Sequence, residues 1–260
     1  MSGAPPLMLG LDPSKGNVRL PGRTAIGFLG RRDIGLVPHV ALCCCAAMIP
    51  ADFIRENTEL IAAPLVPEIR LHLAAESLPI WRKTEEELGQ MNVPPPYWAF
   101  AWAGGQALAR YLLDNRGLVA GRRMLDLGAG SGIVSIAAML AGAKRVVAAD
   151  IDRLALAAID LNAEANGVRV ETTAADLLGA EPEAVDVVLV GDLFYERPLA
   201  ERVLAFVEAA HKGGAEVLVG DPRRSYFPGD RFRQVAVYSV PVTRELEDAE
   251  IKRSAVWRLA

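Results

Sequence analysis

From residue 123 onward, the chain alternates between two hydrophobic periods. Short runs of branched apolar residues at about 123 to 127, 145 to 149, 168 to 171, 185 to 190 and 215 to 219 read as buried strands. Between them, at about 132 to 141, 153 to 165 and 198 to 211, apolar letters recur every three to four positions and predict helices. Helices between buried strands require crossover connections, so the pattern implies an α/β protein with a doubly wound, mostly parallel sheet. Two last strand candidates, "RQVAVYSV" and "SAVWRLA", have no helix between them and are expected to form a terminal antiparallel hairpin. The segment "TRELEDAEIKR" that joins them is too charged for a core strand.

The upstream pattern is less regular. "ADFIRENTELIAAP" has an acidic first turn and predicts a short helix, and "EIRLHLA" alternates like a strand. "WRKTEEELG" reads as a helix ended by Gly89, and Pro94, Pro95 and Pro96 stiffen the loop after it. "GQALARYLLDNRG" then predicts another helix. Residues 1 to 50, rich in Gly, Pro and Arg, show neither period and are expected to be a poorly ordered extension. Two readings of that extension stay open: a start codon assigned too early, with Met48 the true start, or an arginine-bearing leader. The expected organisation is therefore 1–50 extension, 51–119 cap of the catalytic domain, and 120–260 core.

At 260 residues and 52% hydrophobic letters the chain can bury a full core. A net charge of −4 offers no basic stripe for a phosphate backbone, so no nucleic-acid partner is expected. The apolar run "VALCCCAAMI" is well short of a span, so no membrane association is expected. Cys43, Cys44 and Cys45 are the only cysteines, and His39, His72 and His211 are far apart, so the expectation is no metal site and no disulfide framework. A cytoplasmic location suits this, or the mitochondrial matrix in a eukaryotic source.

Candidate chemistry centres on "RMLDLGAGSGIVSIA", where a predicted strand gives way to three alternating glycines and a helix. Gly128, Gly130 and Gly132 permit a tight turn and close approach of a ligand at the carboxyl end of a strand. Asp150 ends the next strand at roughly the 20-residue offset of a ribose-binding carboxylate. A dinucleotide fingerprint needs its third glycine at position 133, which is Ile133. Asp126, two positions ahead of Gly128, would repel a pyrophosphate and attract an ammonium group. Ribose, adenine and a cationic amino-acid tail together describe S-adenosylmethionine, and NAD fits poorly. Asp192, in "VLVGDLFYE", sits at the end of a later strand, where a reacting methyl group would face its acceptor.

"LDLGAGSG" followed by "AADID" resembles the first two motifs of the class I methyltransferases. That resemblance implies the seven-strand order 3-2-1-4-5-7-6, Ile151 beside the cofactor, and Asp176 with Leu177 around the adenine. Asp176 reads equally well as a helix-capping or turn aspartate. No Asn/Asp-Pro-Pro-Tyr/Phe motif of nucleic-acid nitrogen methylation follows the fourth strand; Asp192 to Tyr195 reads D-x-x-Y. That form, with "FIRENTEL" and "PPPYWAFAWAGG" upstream, resembles the electron transfer flavoprotein β-subunit lysine methyltransferases and their bacterial relatives. The resemblance implies Trp102 beside the cofactor and Trp98 near the cofactor or substrate channel; both tryptophans can equally pack a helix onto the sheet.

It also implies a protein-lysine acceptor, with the flavoprotein β subunit as partner. Asp192 would orient the amine, beside Tyr195 and Glu196, and Asp192, Glu196 or water would take its proton. A small-molecule amine such as nicotinamide, or a ribosomal-protein lysine, are the alternative acceptors. "VGDPRRSYFPGDR" puts Asp221, Arg223 and Arg224 at the same edge, where they form either a solvated loop or a receiver for acidic residues of a partner.

Overall fold

The computed structural model describes residues 50–74, 95–242 and 250–260. The expectations for residues 1–49 and for the helix ending at Gly89 lie outside the described residues. The chain runs α1 (Pro50–Asn57), β1 (Glu59–Ala63), β2 (Val66–Leu73), α2 (Ala103–Asp114), β3 (Arg123–Leu127), α3 (Ile133–Leu140), β4 (Arg145–Ala149), α4 (Arg153–Ala165) and β5 (Glu171–Thr173). It continues through β6 (Val187–Gly191), α5 (Arg197–Lys212), β7 (Glu216–Asp221), β8 (Phe232–Pro241) and β9 (Ile251–Leu259). Seven strands form one sheet in the order β5-β4-β3-β6-β7-β9-β8, which is the expected 3-2-1-4-5-7-6. The pairs from β5 to β7 are parallel, and β9 enters antiparallel between β7 and β8. Among the described residues no helix is long and apolar enough to cross a membrane.

Each strand of the sheet divides its side chains between two layers, because successive residues point to opposite faces. Met124, Val146, Leu189 and Leu218 face Leu108 and Leu112 of α2 and Ile136 of α3. Leu125, Val188, Val190 and Val217 face Val203, Phe206 and Val207 of α5. A smaller cluster joins Ile54 of α1 and Trp98 to Ala155, Ala158 and Leu161 on α4. β3 pairs with β4 on one side and β6 on the other; the connection after β3 runs to β4 and the connection after β6 runs the opposite way to β7, which opens a crevice between their carboxyl ends.

Three elements depart from the expectation drawn from sequence. β1 pairs antiparallel with β2, in a stretch read only as the tail of a helix. β5 starts at Glu171 rather than near 168, because Val147 of β4 pairs with Glu171; as an edge strand it has one neighbour and tolerates the polar letters "ETT". β9 begins at Ile251 and so takes in the charged letters "IKR" assigned to the connection.

Asp126 departs from its expected role for the same period-of-two reason. It shares the face of Met124, turned toward α3 and away from the crevice. There it is 1% exposed, and its Oδ2 accepts a 2.7 Å hydrogen bond from Ser135 Oγ. The Ser135 backbone N–H adds a second donor. Burial pushes its carboxyl up to about 7, against the lowering effect of those two hydrogen bonds. Asp126 therefore ties the strand to the first turn of α3, and is not the ammonium partner that the sequence suggested.

Among the described glycines, the tightest approach is between α2 and β7. A Cβ on Gly104 would fall 2.2 Å from the Gly220 carbonyl oxygen, and one on Gly220 would fall 2.1 Å from that of Gly104. Backbone meets backbone here, and neither side can yield as a flexible side chain would. Gly104→Ala is expected to destabilise the fold by about 1–3 kcal/mol, the usual cost of overpacking, measured as a lower urea midpoint with unchanged slope. Asp126→Asn tests the buried carboxyl. The native state keeps a proton that an unfolded aspartate, with a pKa of about 3.9, has released, so wild-type stability falls as pH rises from about 4 through about 7. The asparagine lacks that loss; its melting temperature relative to wild type should rise between pH 4 and pH 8.

Candidate functional site

The glycine turn at the crevice is held in left-handed backbone: φ is +59° at Gly128, +53° at Gly130 and +78° at Gly132. A side chain would strain each of them. The crowding differs from the simple expectation of ligand approach. A Cβ on Gly128 would meet Leu193 Cδ2 at 2.5 Å, and one on Gly132 would meet Ile159 at 3.1 Å. Gly128 and Gly130 line the cavity, whereas Gly132 is turned toward α4.

That cavity measures about 420 Å³, within the roughly 300–1,000 Å³ range of small-ligand sites. Asp150, at the end of β4, forms part of its wall. Its Oδ2 accepts from the Gly130 N–H at 2.9 Å and its Oδ1 from the Asp152 N–H at 3.0 Å. Burial raises its pKa, and the two backbone hydrogen bonds work against that rise. Both oxygens are thus fixed in place with lone pairs left over, the geometry a ribose diol requires. Ile151, 74% exposed, and Asp152 continue the same wall.

Trp98 lines the cavity from the opposite side and is 3% exposed. Its Nε1–H is buried and finds no acceptor among the described residues. A buried donor left unpaired costs free energy, so the site fits a ligand that brings an acceptor of its own. Asp176 and Leu177 close the far end. Asp176 caps the short 3₁₀ turn Leu177–Gly179 through the Leu178 N–H and is ion-paired with Arg202 at 2.7 Å, so the capping reading of this residue is realised. An adenine would meet it as a carboxylate already engaged by a guanidinium. Glycine turn, fixed ribose carboxylate and unpaired indole N–H together fit S-adenosylmethionine.

The other end of the cavity is built around Asp192. Its φ of +60° puts a non-glycine residue in the left-handed region, at a cost of about 1–3 kcal/mol. The strain turns the carboxylate back under α2. Oδ2 accepts from the Gly105 N–H at 2.7 Å, and Oδ1 accepts from Arg224 Nη2 at 2.7 Å and Nε at 3.0 Å. The side chains of Arg224 and Asp192 are only 17% and 8% exposed, so this ion pair is largely withdrawn from water. Arg224 also lies over the Trp102 ring, 5.4 Å from its centroid, while the Trp102 indole donates to the Tyr97 carbonyl at 2.9 Å.

Tyr97 and Tyr195, each 41% exposed with ring centroids 5.8 Å apart, form the mouth. Burial, with Tyr97 and Glu196 adding to it, pushes the Tyr195 phenol up to about 12, so it stays protonated near neutral pH. Glu196 is exposed at the N-terminal end of α5, beside Tyr195, and is not among the residues that line the cavity.

Sequence reasoning missed Gly105, Tyr97 and the partner role of Arg224. The first is a backbone donor with no side-chain signature. Arg224 lies 32 positions from Asp192, and only the parallel pairing of β6 with β7 brings the two strand ends together. Asp221 ends β7 with 0% exposure. Its Oδ1 accepts from the Arg224 N–H at 2.7 Å, Oδ2 has no partner among the described residues, and burial with the charge of Asp192 pushes it up to about 7.

Residues 106–215 match the model of the ribosomal protein L11 methyltransferase (PrmA) family. Over 214 residues the chain is 39% identical to the electron transfer flavoprotein beta subunit lysine methyltransferase of Danio rerio, covering 80% of this chain and 82% of that protein. The protein of the same name from Homo sapiens is 37% identical over 212 residues, covering 79% of this chain and 80% of its own length. Among solved structures, magnesium protoporphyrin IX methyltransferase from Synechocystis is 18% identical, with a TM-score of 0.47 over 70% of this chain and 88% of that one. At that identity and coverage, the chain belongs to the electron transfer flavoprotein beta subunit lysine methyltransferase family.

Proposed function

We propose that this protein transfers a methyl group from S-adenosylmethionine to a lysine amine of the electron transfer flavoprotein β subunit. The observation that carries this reading beyond family membership is the acceptor end itself: a strained, twice-anchored carboxylate beneath an aromatic mouth open to solvent. A mouth of that kind admits a long side chain from a folded partner.

When bound, the cofactor supplies a sulfonium methyl already activated for displacement. The chain's own task is to place a neutral amine in line with it. A lysine ammonium, with a pKa near 10.4, has to lose a proton first. Tyr97, Tyr195 and Trp102 surround the entry and strip water from the amine, which favours its uncharged form. Their ring faces also attract the ammonium on arrival. Asp192 and Arg224 neutralise each other, so the inner end of the channel presents no net charge to hold an ammonium and suits the neutral amine instead.

With three hydrogen bonds from protein donors, two of them from the Arg224 guanidinium, the Asp192 carboxylate acts as a positioning group. It fixes the α2 terminus and Arg224 around the channel. The Tyr195 phenol stays protonated and hydrogen-bonds the amine, and the released proton leaves to water through the mouth. At the other end, Asp150 binds the ribose and Trp98 donates to the nucleoside.

The purified protein, S-adenosylmethionine and the flavoprotein β subunit should give methylated lysine, mapped by mass spectrometry; absence of transfer to any lysine of that subunit would sink the reading. Asp192→Asn should lower kcat by about 100-fold, the scale of a misplaced reacting pair, with cofactor affinity in calorimetry close to wild type. Asp150→Ala should do the reverse: cofactor Kd rises about 10-fold or more, as for loss of hydrogen bonds to a charged group, and kcat at saturating cofactor changes far less.

A further inference from the structure

Consecutive arginines at the end of β7 point into different cavities. Arg224 turns into the methyl-transfer cavity, whereas Arg223, with φ of +67°, turns the other way and lies over Trp257, 5.1 Å from the ring centroid. A left-handed arginine is strained, and the strain has a visible result: two guanidinium groups are delivered to opposite sides of one turn.

The second cavity, of about 430 Å³, is lined by Asp221, Arg223, Gln234, Arg253 and Trp257 among others. Neither Arg223 nor Arg253 has a carboxylate partner among the described residues, unlike the arginines at positions 110, 122, 123, 145, 202 and 224. Trp257 is held in place from behind by its own Nε1–H, which donates to the Asp221 carbonyl at 3.1 Å, so the surface beneath Arg223 is rigid. Asp221 contributes to the same wall, with its side chain buried and its Oδ2 without a partner among the described residues.

We propose that this cavity is a docking subsite for an acidic side chain of the protein substrate, next to the methylated lysine. Two guanidinium forks without a carboxylate partner among the described residues, with the amide of Gln234 on β8, match the planar carboxylate of an Asp or Glu. The net charge of −4 works against a polyanion such as nucleic acid. The turn Asp221–Arg224 contributes to both cavities, Arg224 to the first and Asp221 and Arg223 to the second, so a segment whose lysine enters the first passes close to the second.

This subsite rests on the protein-lysine reading above. Its test compares wild type, Arg253→Glu, Arg253→Gln and Arg253→Lys; position 253 is exposed on β9 and outside the catalytic cavity. With the flavoprotein as substrate, Arg253→Glu should raise KM about 10-fold or more, as expected for loss of a charge-assisted hydrogen bond. Arg253→Gln should give a smaller rise and Arg253→Lys most of the wild-type value. In all three, kcat and cofactor Kd should stay near wild type. Replacing the acidic residue beside the target lysine by Lys should restore the KM of Arg253→Glu. Calorimetry of the flavoprotein against each variant, with S-adenosylhomocysteine present, separates the outcomes. Tight binding and methylation by wild type with no change in Arg253→Glu overturns the subsite and leaves the activity standing. No binding and no methylation by wild type overturns the activity, and the subsite falls with it.

Discussion

The acceptor end of this protein depends on a close backbone approach, Gly104 of α2 against Gly220 of β7. Only residues without Cβ let the helix terminus come near enough for the Gly105 N–H to reach the Asp192 carboxylate. That hydrogen bond, together with the guanidinium of Arg224, holds Asp192 in a backbone conformation it would otherwise avoid. Trp102 precedes the same helix and is braced by Arg224 and by the Tyr97 carbonyl. A shift of α2 therefore moves carboxylate, indole and aromatic mouth together, and one helix-to-strand spacing sets the geometry of the whole channel.

Five aspartates stand near the carboxyl ends of the strands, and their surroundings divide them. Asp126 is buried against α3, and that burial pushes its carboxyl up to about 7. Asp150 is held by two backbone donors at the cavity wall, where it can still accept from a diol. Asp176 is exposed, and the Arg202 hydrogen bond holds its carboxyl below the usual aspartate value. Asp192 is paired inside the protein, and Asp221 behind it is only half satisfied. Residue type is constant across the five; burial and the identity of the nearest donor decide what each can do.

The two arginines after β7 follow the same logic. Side chains adjacent in sequence, which would act as one basic patch on a flexible loop, are separated by a single left-handed residue into two surfaces. One completes the catalytic channel, and the other faces a cavity with room for a carboxylate. Local strain here converts a short sequence motif into two distinct chemical environments.

The sequence by itself determined the parallel sheet, the helices between its strands, the terminal hairpin and the glycine turn after β3, because these rest on period and on local backbone requirements. It also placed Asp150 and Asp192 at strand ends, since a strand end can be read from where an apolar run stops. Edge strand β5 and hairpin strand β1 were not legible, because a strand with one neighbour needs little hydrophobic signal. Neither was the direction of a side chain at a strand end. Asp126 differs from the cavity-lining residues by one step of the pleat, and that step puts it against Ser135. Only the tertiary structure brought Gly105, Asp192 and Arg224 together, from three segments that parallel pairing makes neighbours. Contacts between distant segments carry no periodic signature in the chain, so the backbone donor and the guanidinium that complete the site came into view only with the fold.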